Sequence, residues 1–118
     1  MASKKDFDVV IAGGGLVGLS LAAVLGKAGF RVAVLEARQA DFDWPQGSID
    51  LRVYAITRAS QSLFIDAGIW PAVQADAAPF REMRVWDAGG SGDIHFDSAE
   101  LGEPCLGHIL ESRVIEKA

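Results

Sequence analysis

Three glycines and one acidic residue form the pattern with the clearest chemical meaning in this sequence. Gly13, Gly15 and Gly18 follow a short apolar run with the spacing GxGxxG, and Glu36 ends the next apolar run. This combination is typical of a turn that binds a dinucleotide, in which an acidic residue follows at a distance of about 20 residues. Gly13 permits the sharp turn, Gly15 lets a pyrophosphate approach the backbone, and Gly18 lets a helix pack closely.

The predicted phosphate contacts come from backbone at the start of a helix. The free N–H groups of a first turn beginning at Leu16 and Val17 face the phosphates, and the helix dipole adds roughly 0.3–1 kcal/mol per charge. Glu36 is expected to accept hydrogen bonds from the adenosine ribose, and its charge disfavours the 2′-phosphate of NADP. FAD and NAD share an ADP half, so the pattern leaves both open, together with a glycine-rich turn in another kind of α/β protein.

The elements on either side of the glycines are those that such a turn requires. Residues 8–12 are a short, mostly β-branched run that predicts a buried strand, and residues 31–35 predict a second one. Residues 16–28 predict a helix that is apolar nearly all round and therefore buried, and Gly29 suits its C-terminal cap. A right-handed βαβ unit with parallel strands is therefore expected over about residues 6–37.

The second half of the chain has a different pattern. Residues 41–50 predict a loop, and a helix follows that Thr57 caps and Gly68 ends. One face of this amphipathic helix carries Ile56, Ala59, Ser60, Leu63, Phe64 and Ala67. Alternation about a glycine-rich turn predicts a β-hairpin over about residues 83–97, which begins a second layer.

The C-terminal residues, the composition and the chain length limit the classes of protein to which this sequence can belong. Residues 106–110 are predicted to be extended, and Ser112 is expected to cap a helix. This helix stops at Ala118 after little more than one turn, so we expect a truncated domain.

The 118 residues suit one domain, and a net charge of −5 argues against nucleic-acid binding. The lone Cys105 excludes a disulfide within the chain and fits a reducing compartment. The polar start is not typical of a secretory signal, and residues 16–25 are too few to span a bilayer.

Two further groupings could do chemistry but have simpler explanations. Asp93, His95 and Asp97 share one strand face, as metal ligands can, but a solvated hairpin face is the favoured interpretation. Cys105 and His108 are close in sequence without an orienting third group, so we interpret them as an ordinary thiol and a structural histidine. No metal ligand and no catalytic acid, base or nucleophile is predicted.

Longer stretches of the sequence resemble a known enzyme family. Residues 8–22 and 34–38 are similar to the N-terminus of FAD-dependent aromatic hydroxylases, and residues 50–56, 68–70 and 106–111 narrow the resemblance to the ubiquinone-biosynthesis hydroxylases. The resemblance extends from residue 8 to residue 118. It implies an α/β, Rossmann-like three-layer FAD/NAD(P)-binding fold, with a parallel sheet covered by helices and by a small antiparallel β layer.

The resemblance also implies an activity for the intact protein. It would be a flavin monooxygenase that hydroxylates an aromatic ring, in particular a polyprenylated ubiquinone precursor, with NAD(P)H and oxygen as co-substrates. It would be cytoplasmic, peripheral to the inner membrane or part of a biosynthetic complex. Two alternatives stay open: an NAD-dependent dehydrogenase, and an inactive isolated fragment that only self-associates.

Particular residues receive roles from the same resemblance. Arg52 matches an arginine near the FAD pyrophosphate, with an ordinary surface salt bridge as the alternative. Arg38 is expected over the adenosine or else as a solvated loop charge, and Ala37 beside it belongs to the predicted cofactor site. Glu111 and Ser112 match a pair at a helix start near the flavin, although relatives usually have asparagine in place of Ser112.

Overall fold

The fold begins with a parallel βαβ unit. In the computed structural model, which describes residues 5–118, strand β1 (Val9–Ala12) leads through helix α1 (Leu16–Lys27) to strand β2 (Val32–Leu35). The two strands pair in parallel, with Val9 opposite Val32. Gly29 follows α1 at φ 91°, a left-handed conformation that glycine adopts without strain. The predicted parallel pairing is therefore confirmed.

A second sheet is antiparallel and brings distant parts of the chain together. Its strands are β3 (Val53–Thr57), β4 (Ala78–Phe80) and β7 (Gly107–Glu111), in the spatial order β3–β7–β4. Val53 lies opposite Glu111 in this sheet. Three helices adjoin it, namely α2 (Arg58–Asp66), α3 (Trp70–Val73) and α4 (Ser112–Lys117).

Strands β5 (Glu82–Trp86) and β6 (Asp93–Asp97) form a separate antiparallel hairpin. Met83 lies opposite Phe96, and Val85 lies opposite Ile94. These four apolar side chains share one face and are all exposed. The small antiparallel layer that the sequence predicts is thus present, and its polar face carries the charged residues.

The hydrophobic core lies beside the second sheet rather than inside the βαβ unit. The buried cluster consists of Ile56, Phe64, Val73, Leu110 and Ile115. These residues come from β3, α2, α3, β7 and α4, so the core joins segments that are far apart in sequence. Leu16, at the start of α1, packs against this cluster and attaches the βαβ unit to it.

The expectation that α1 and its two strands are buried is wrong. No residue of α1 is buried, and Val17 on this helix is 82% exposed. Val10 on β1 and Leu35 on β2 are also exposed. The physical reason is that the parallel sheet has two strands, and no third layer within residues 5–118 covers the free face of α1.

Two local assignments also need correction. Ile56 lies in strand β3, not on the helix face, although Thr57 does cap α2, with its Oγ1 accepting from the Ser60 amide at 3.2 Å. Ser112 is the first residue of α4 rather than its cap, and its hydroxyl donates to Glu116 at 2.8 Å. Glu111 occupies the cap position, so the predicted serine cap is wrong by one residue.

The position of the core predicts that a leucine-to-alanine substitution lowers the free energy of unfolding at a buried position but not at an exposed one. Leu110→Ala should lower the free energy of unfolding by about 2–5 kcal/mol, because it leaves a cavity in the core. Leu51→Ala is the matched control, because Leu51 is 101% exposed; we expect a change within about 0.5 kcal/mol. Urea unfolding followed by circular dichroism measures both, and equal losses would contradict this core.

Candidate functional site

The turn between β1 and α1 has the conformation that the glycine pattern predicts. Gly13 has a φ of 108°, which side chains disfavour, and its amide donates to the Leu35 carbonyl at 2.7 Å. That hydrogen bond fixes the turn to the end of β2. Gly13 thus supplies the sharp change of direction where the strand meets the helix.

Gly18 and Gly15 differ in what surrounds them. A Cβ added to Gly18 would lie 2.1 Å from the Gly13 carbonyl oxygen, so only glycine allows α1 to approach the turn this closely. A Cβ on Gly15 would meet no atom within 4 Å. Gly15 precedes α1 without a side-chain cap, so the first amides of the helix, from Leu16 onward, have no capping partner there.

Glu36 braces the same turn from the other side. Its Oε2 accepts from the Gly14 amide at 2.7 Å, and its Oε1 accepts from the Arg38 amide at 2.9 Å. These backbone hydrogen bonds, from Arg38 first and Gly14 second, lower the pKa of the Glu36 carboxyl below its ordinary value. A carboxylate has about four acceptor positions, so two of them stay free for sugar hydroxyls.

A groove of about 480 Å³ connects the glycine turn with the start of β3. Six residues of the predicted cofactor site meet along it: Gly13, Gly15, Leu16, Val17, Gly18 and Arg52. Its other lining residues are Ile11, Ala12, Leu21, Tyr54 and Glu116. The glycine turn and the Arg52 side chain therefore line one and the same groove.

Arg52 is held by its main chain, and its side chain is exposed. Its amide donates to Asp50 Oδ1 at 3.1 Å, and its carbonyl accepts from the Ser112 amide at 2.9 Å. Within the described part of the chain, its guanidinium forms no salt bridge. The alternative of an ordinary surface salt bridge therefore has no support in this structure.

The remaining predicted residues lie beside the groove rather than along it. Glu111 accepts from the Asp50 amide at 2.9 Å and from Arg113 Nε at 2.7 Å, so its carboxylate is engaged away from the groove. Ala37 and Arg38 are exposed and follow Glu36 at the end of β2. Their contact with a cofactor stays a prediction.

Two groove residues, Tyr54 and Glu116, were not predicted from the sequence. Tyr54 had a usable signal, because it stands two residues after Arg52 in an extended segment and so lies on the same side. Glu116 had no comparable signal in the sequence. It belongs to helix α4, and only the tertiary structure brings this helix beside α1. Its carboxylate accepts from Ser112 and adds negative charge beside the groove.

The three hairpin residues that the sequence places on one strand face each have a protein partner. Asp93 pairs with Arg84 at 2.5 Å, and His95 lies 3.2 Å from Glu82. Asp97 turns away and accepts from the Ala99 amide at 2.8 Å. Over residues 5–118, no group of three or more potential ligands is arranged for a metal ion.

Cys105 lies just before strand β7, and His108 lies within that strand. Cys105 is buried, and the His108 ring makes an edge contact with Trp70 at a centroid distance of 5.0 Å. Burial lowers the pKa of His108, which favours the neutral ring at physiological pH.

The described helices include none with the length and apolar character needed to cross a membrane.

The close contact at Gly18 predicts opposite effects of two alanine substitutions in one helix. Gly18→Ala should destabilise the chain by about 1–3 kcal/mol, because the methyl group overlaps the Gly13 carbonyl. Gly26→Ala is the control, since its added Cβ would meet nothing within 4 Å; it should stabilise by roughly 0.5–1 kcal/mol. Urea unfolding decides, and a neutral Gly18→Ala would contradict the tight turn.

Comparison with known proteins places this geometry among flavoproteins. The family model described as FAD binding domain matches residues 6–110. A 3-demethoxyubiquinol 3-hydroxylase of Escherichia coli is 38% identical over 117 residues, which cover 98% of this chain and 30% of the relative. A mitochondrial ubiquinone biosynthesis monooxygenase of Xenopus tropicalis is 36% identical over 118 residues, covering 95% of this chain and 25% of the relative.

Solved structures agree on the fold. The p-nitrophenol 4-monooxygenase PnpA from Pseudomonas putida matches with a TM-score of 0.64 at 25% identity, over 92% of this chain and 27% of that protein. The flavin-dependent monooxygenase PieE, in complex with FAD and substrate, matches with a TM-score of 0.66 at 18% identity, over 98% of this chain and 21% of that protein.

The chain spans less than a third of the length of these relatives. The α/β fold and the resemblance to ubiquinone-biosynthesis hydroxylases that the sequence indicated are both confirmed. Because the family model matches 105 of the 118 residues, from 6 to 110, the chain belongs to the FAD binding domain family.

Proposed function

We propose that the groove at the glycine turn binds the ADP part of FAD, and that the whole protein is an FAD-dependent monooxygenase acting on an aromatic ring. The observation that carries this proposal is the meeting of Arg52 with the glycine turn in one groove. A cationic fork and a row of uncapped amides converge there, and both favour a pyrophosphate.

The residues present fit the cofactor in three respects. The Gly15 side of the turn is open, Arg52 forms no salt bridge among the described residues, and Glu36 keeps free acceptor positions. Leu16 and Val17 would donate backbone N–H groups to the phosphates. Glu36 would bind the ribose, with Ala37 and Arg38 beside the adenosine.

When bound, FAD would supply the redox chemistry of ring hydroxylation, with NAD(P)H as the reductant and oxygen as the oxidant, whose second atom would leave as water. The chain's own contribution is binding and orientation of the ADP half. We assign no catalytic residue here, because Glu36, Arg52 and Glu111 all act on the cofactor or on backbone in this proposal.

A polyprenylated ubiquinone precursor is the substrate we propose for the whole protein. The relatives support this choice through their names, which describe a demethoxyubiquinol hydroxylase and a ubiquinone biosynthesis monooxygenase. A lipid-tailed substrate favours a location in the cytoplasm beside the inner membrane, or within a biosynthetic complex. The competing assignment, an NAD-dependent dehydrogenase, shares the ADP site and differs in the cofactor retained.

The first test is binding of FAD to the purified chain. Titration followed by flavin fluorescence should saturate, and Arg52→Gln should weaken binding by roughly tenfold or more, because a charged hydrogen bond contributes about 1.5–3 kcal/mol. Arg84→Gln on the hairpin is the control and should leave the dissociation constant unchanged.

Two results would count against the proposal. Saturable binding of NAD with none of FAD would favour the dehydrogenase. If the Arg52→Gln variant bound FAD with the same affinity as the wild type, the guanidinium would have no role in binding the cofactor.

We also propose that the isolated chain self-associates through the apolar face between α1 and α2. Two adjoining hollows of about 660 and 380 Å³ lie there. Val24 and Leu63 line both of them and are exposed. Apolar surface of this kind is rare on monomeric proteins and favours association with a second copy.

Light scattering across a range of concentrations tests this association. Leu63→Glu should shift the chain toward monomer, because it places a charge in the apolar face. Ile65→Glu is the control from the same helix, since Ile65 is exposed but does not line the hollows. A wild-type monomer at every concentration would refute the association.

A further inference from the structure

We propose that Arg113 is a positioning residue that fixes Arg52 at the groove, acting through a cluster that we call the latch. The latch consists of Ser48, Asp50, Glu111 and Arg113. The inference rests on the proposed function, because it assigns Arg52 to the pyrophosphate. Arg113 does not line the groove, so its effect on a ligand has to pass through the backbone that carries Arg52.

Arg113 ties the loop before β3 to the start of α4. Its Nε donates to Glu111 Oε2 at 2.7 Å, its Nη1 donates to Ser48 Oγ at 3.1 Å, and its Nη2 donates to the Ser48 carbonyl. The guanidinium also lies over the Trp44 ring, 4.6 Å from the centroid. Its side chain is only 18% exposed, so these contacts are partly shielded from solvent.

The two carboxylates of the latch bind backbone on opposite sides. Glu111 Oε2 accepts from the Asp50 amide at 2.9 Å. Asp50 returns the contact, since its Oδ2 accepts from the Arg113 amide at 3.4 Å at the start of α4. Hydrogen bonds from the Arg52 amide first, and from the Arg113 amide, lower the pKa of the Asp50 carboxyl. The loop and the helix start are thus joined reciprocally.

Arg52 lies where these contacts converge. Its amide donates to Asp50 Oδ1, and its carbonyl accepts from the Ser112 amide, so both sides of its peptide backbone are held. Pairing of Val53 with Glu111 begins at the next residue. The main chain is therefore fixed and the guanidinium is exposed, which reduces the ordering that a phosphate ligand must impose.

The chemistry of the latch requires arginine at position 113. A planar guanidinium can donate in three directions and stack on an aromatic ring at the same time, which a lysine ammonium cannot do. Arg113→Lys keeps the charge but removes the fork. It should therefore lie between the wild type and Arg113→Gln in every measurement that reports on Arg52.

A double-mutant cycle tests whether Arg113 acts through Arg52. FAD binding is measured for the wild type, Arg113→Gln, Arg52→Gln and the double variant, with Arg84→Gln as the control. Arg113→Gln should weaken binding by roughly fivefold when Arg52 is present and by less than about twofold when it is absent. Circular dichroism checks folding, and Arg113→Lys replaces Arg113→Gln if the latter is unfolded.

A second measurement needs no ligand. Amide hydrogen exchange over residues 48–54 should accelerate by roughly tenfold in Arg113→Gln, because the loop loses its attachment to α4. Exchange in the hairpin, residues 82–97, should not change. This arm reports on the backbone of Arg52 directly and is independent of any cofactor.

The outcomes separate the two proposals. Unchanged exchange over residues 48–54 would overturn the latch, and so would an equal loss of FAD affinity with and without Arg52. Unchanged affinity of Arg113→Gln would overturn the inference and leave the proposed function intact. A wild-type chain that binds no FAD would overturn the proposed function and this inference together.

Discussion

The structure depends on one steric constraint, the contact between the first turn of α1 and the carbonyl of Gly13. Because Gly18 has no side chain, the helix lies directly against the turn, and a Cβ there would overlap the Gly13 oxygen. The residues at the start of this helix, from Leu16 to Gly18, line the groove. Glu36 supports the arrangement from outside by accepting from the Gly14 amide. The turn is thus shaped by its backbone and one carboxylate.

Charge is distributed unevenly around this turn. The Glu36 carboxylate accepts from the Gly14 amide and does not line the groove, whereas Arg52 does. Glu116 also lines the groove, and its carboxylate accepts from the Ser112 hydroxyl. The groove therefore has one cationic side chain, Arg52, and one carboxylate, Glu116, rather than a broad basic surface.

Local features of this molecule and the parallel pairing of the βαβ unit could be predicted from the sequence, whereas the pairing within the second sheet could not. The glycine turn, the Thr57 cap and the hairpin are set by neighbouring residues, so local pattern was sufficient. The pairing of Val53 with Glu111 joins positions 58 residues apart, and no periodicity in either segment announces it. The contacts of Arg113 with Ser48 also join residues that are far apart in sequence, so no local pattern predicts them. The predicted burial of α1 is wrong for another reason. The apolar composition of a helix favours burial, but it does not show which other segment packs against the helix.

The two halves of the groove belong to parts of the chain with unequal packing. The backbone amides come from the βαβ unit, in which no residue of α1 is buried, whereas Arg52 precedes a strand that packs into the core. Leu16 joins the two parts by packing against that core. A ligand that contacts both the amides and Arg52 would bind only when the weakly packed half is in place, so its binding free energy would add to the stability of that half. Cofactor binding and folding of the βαβ unit are therefore expected to be coupled through this groove.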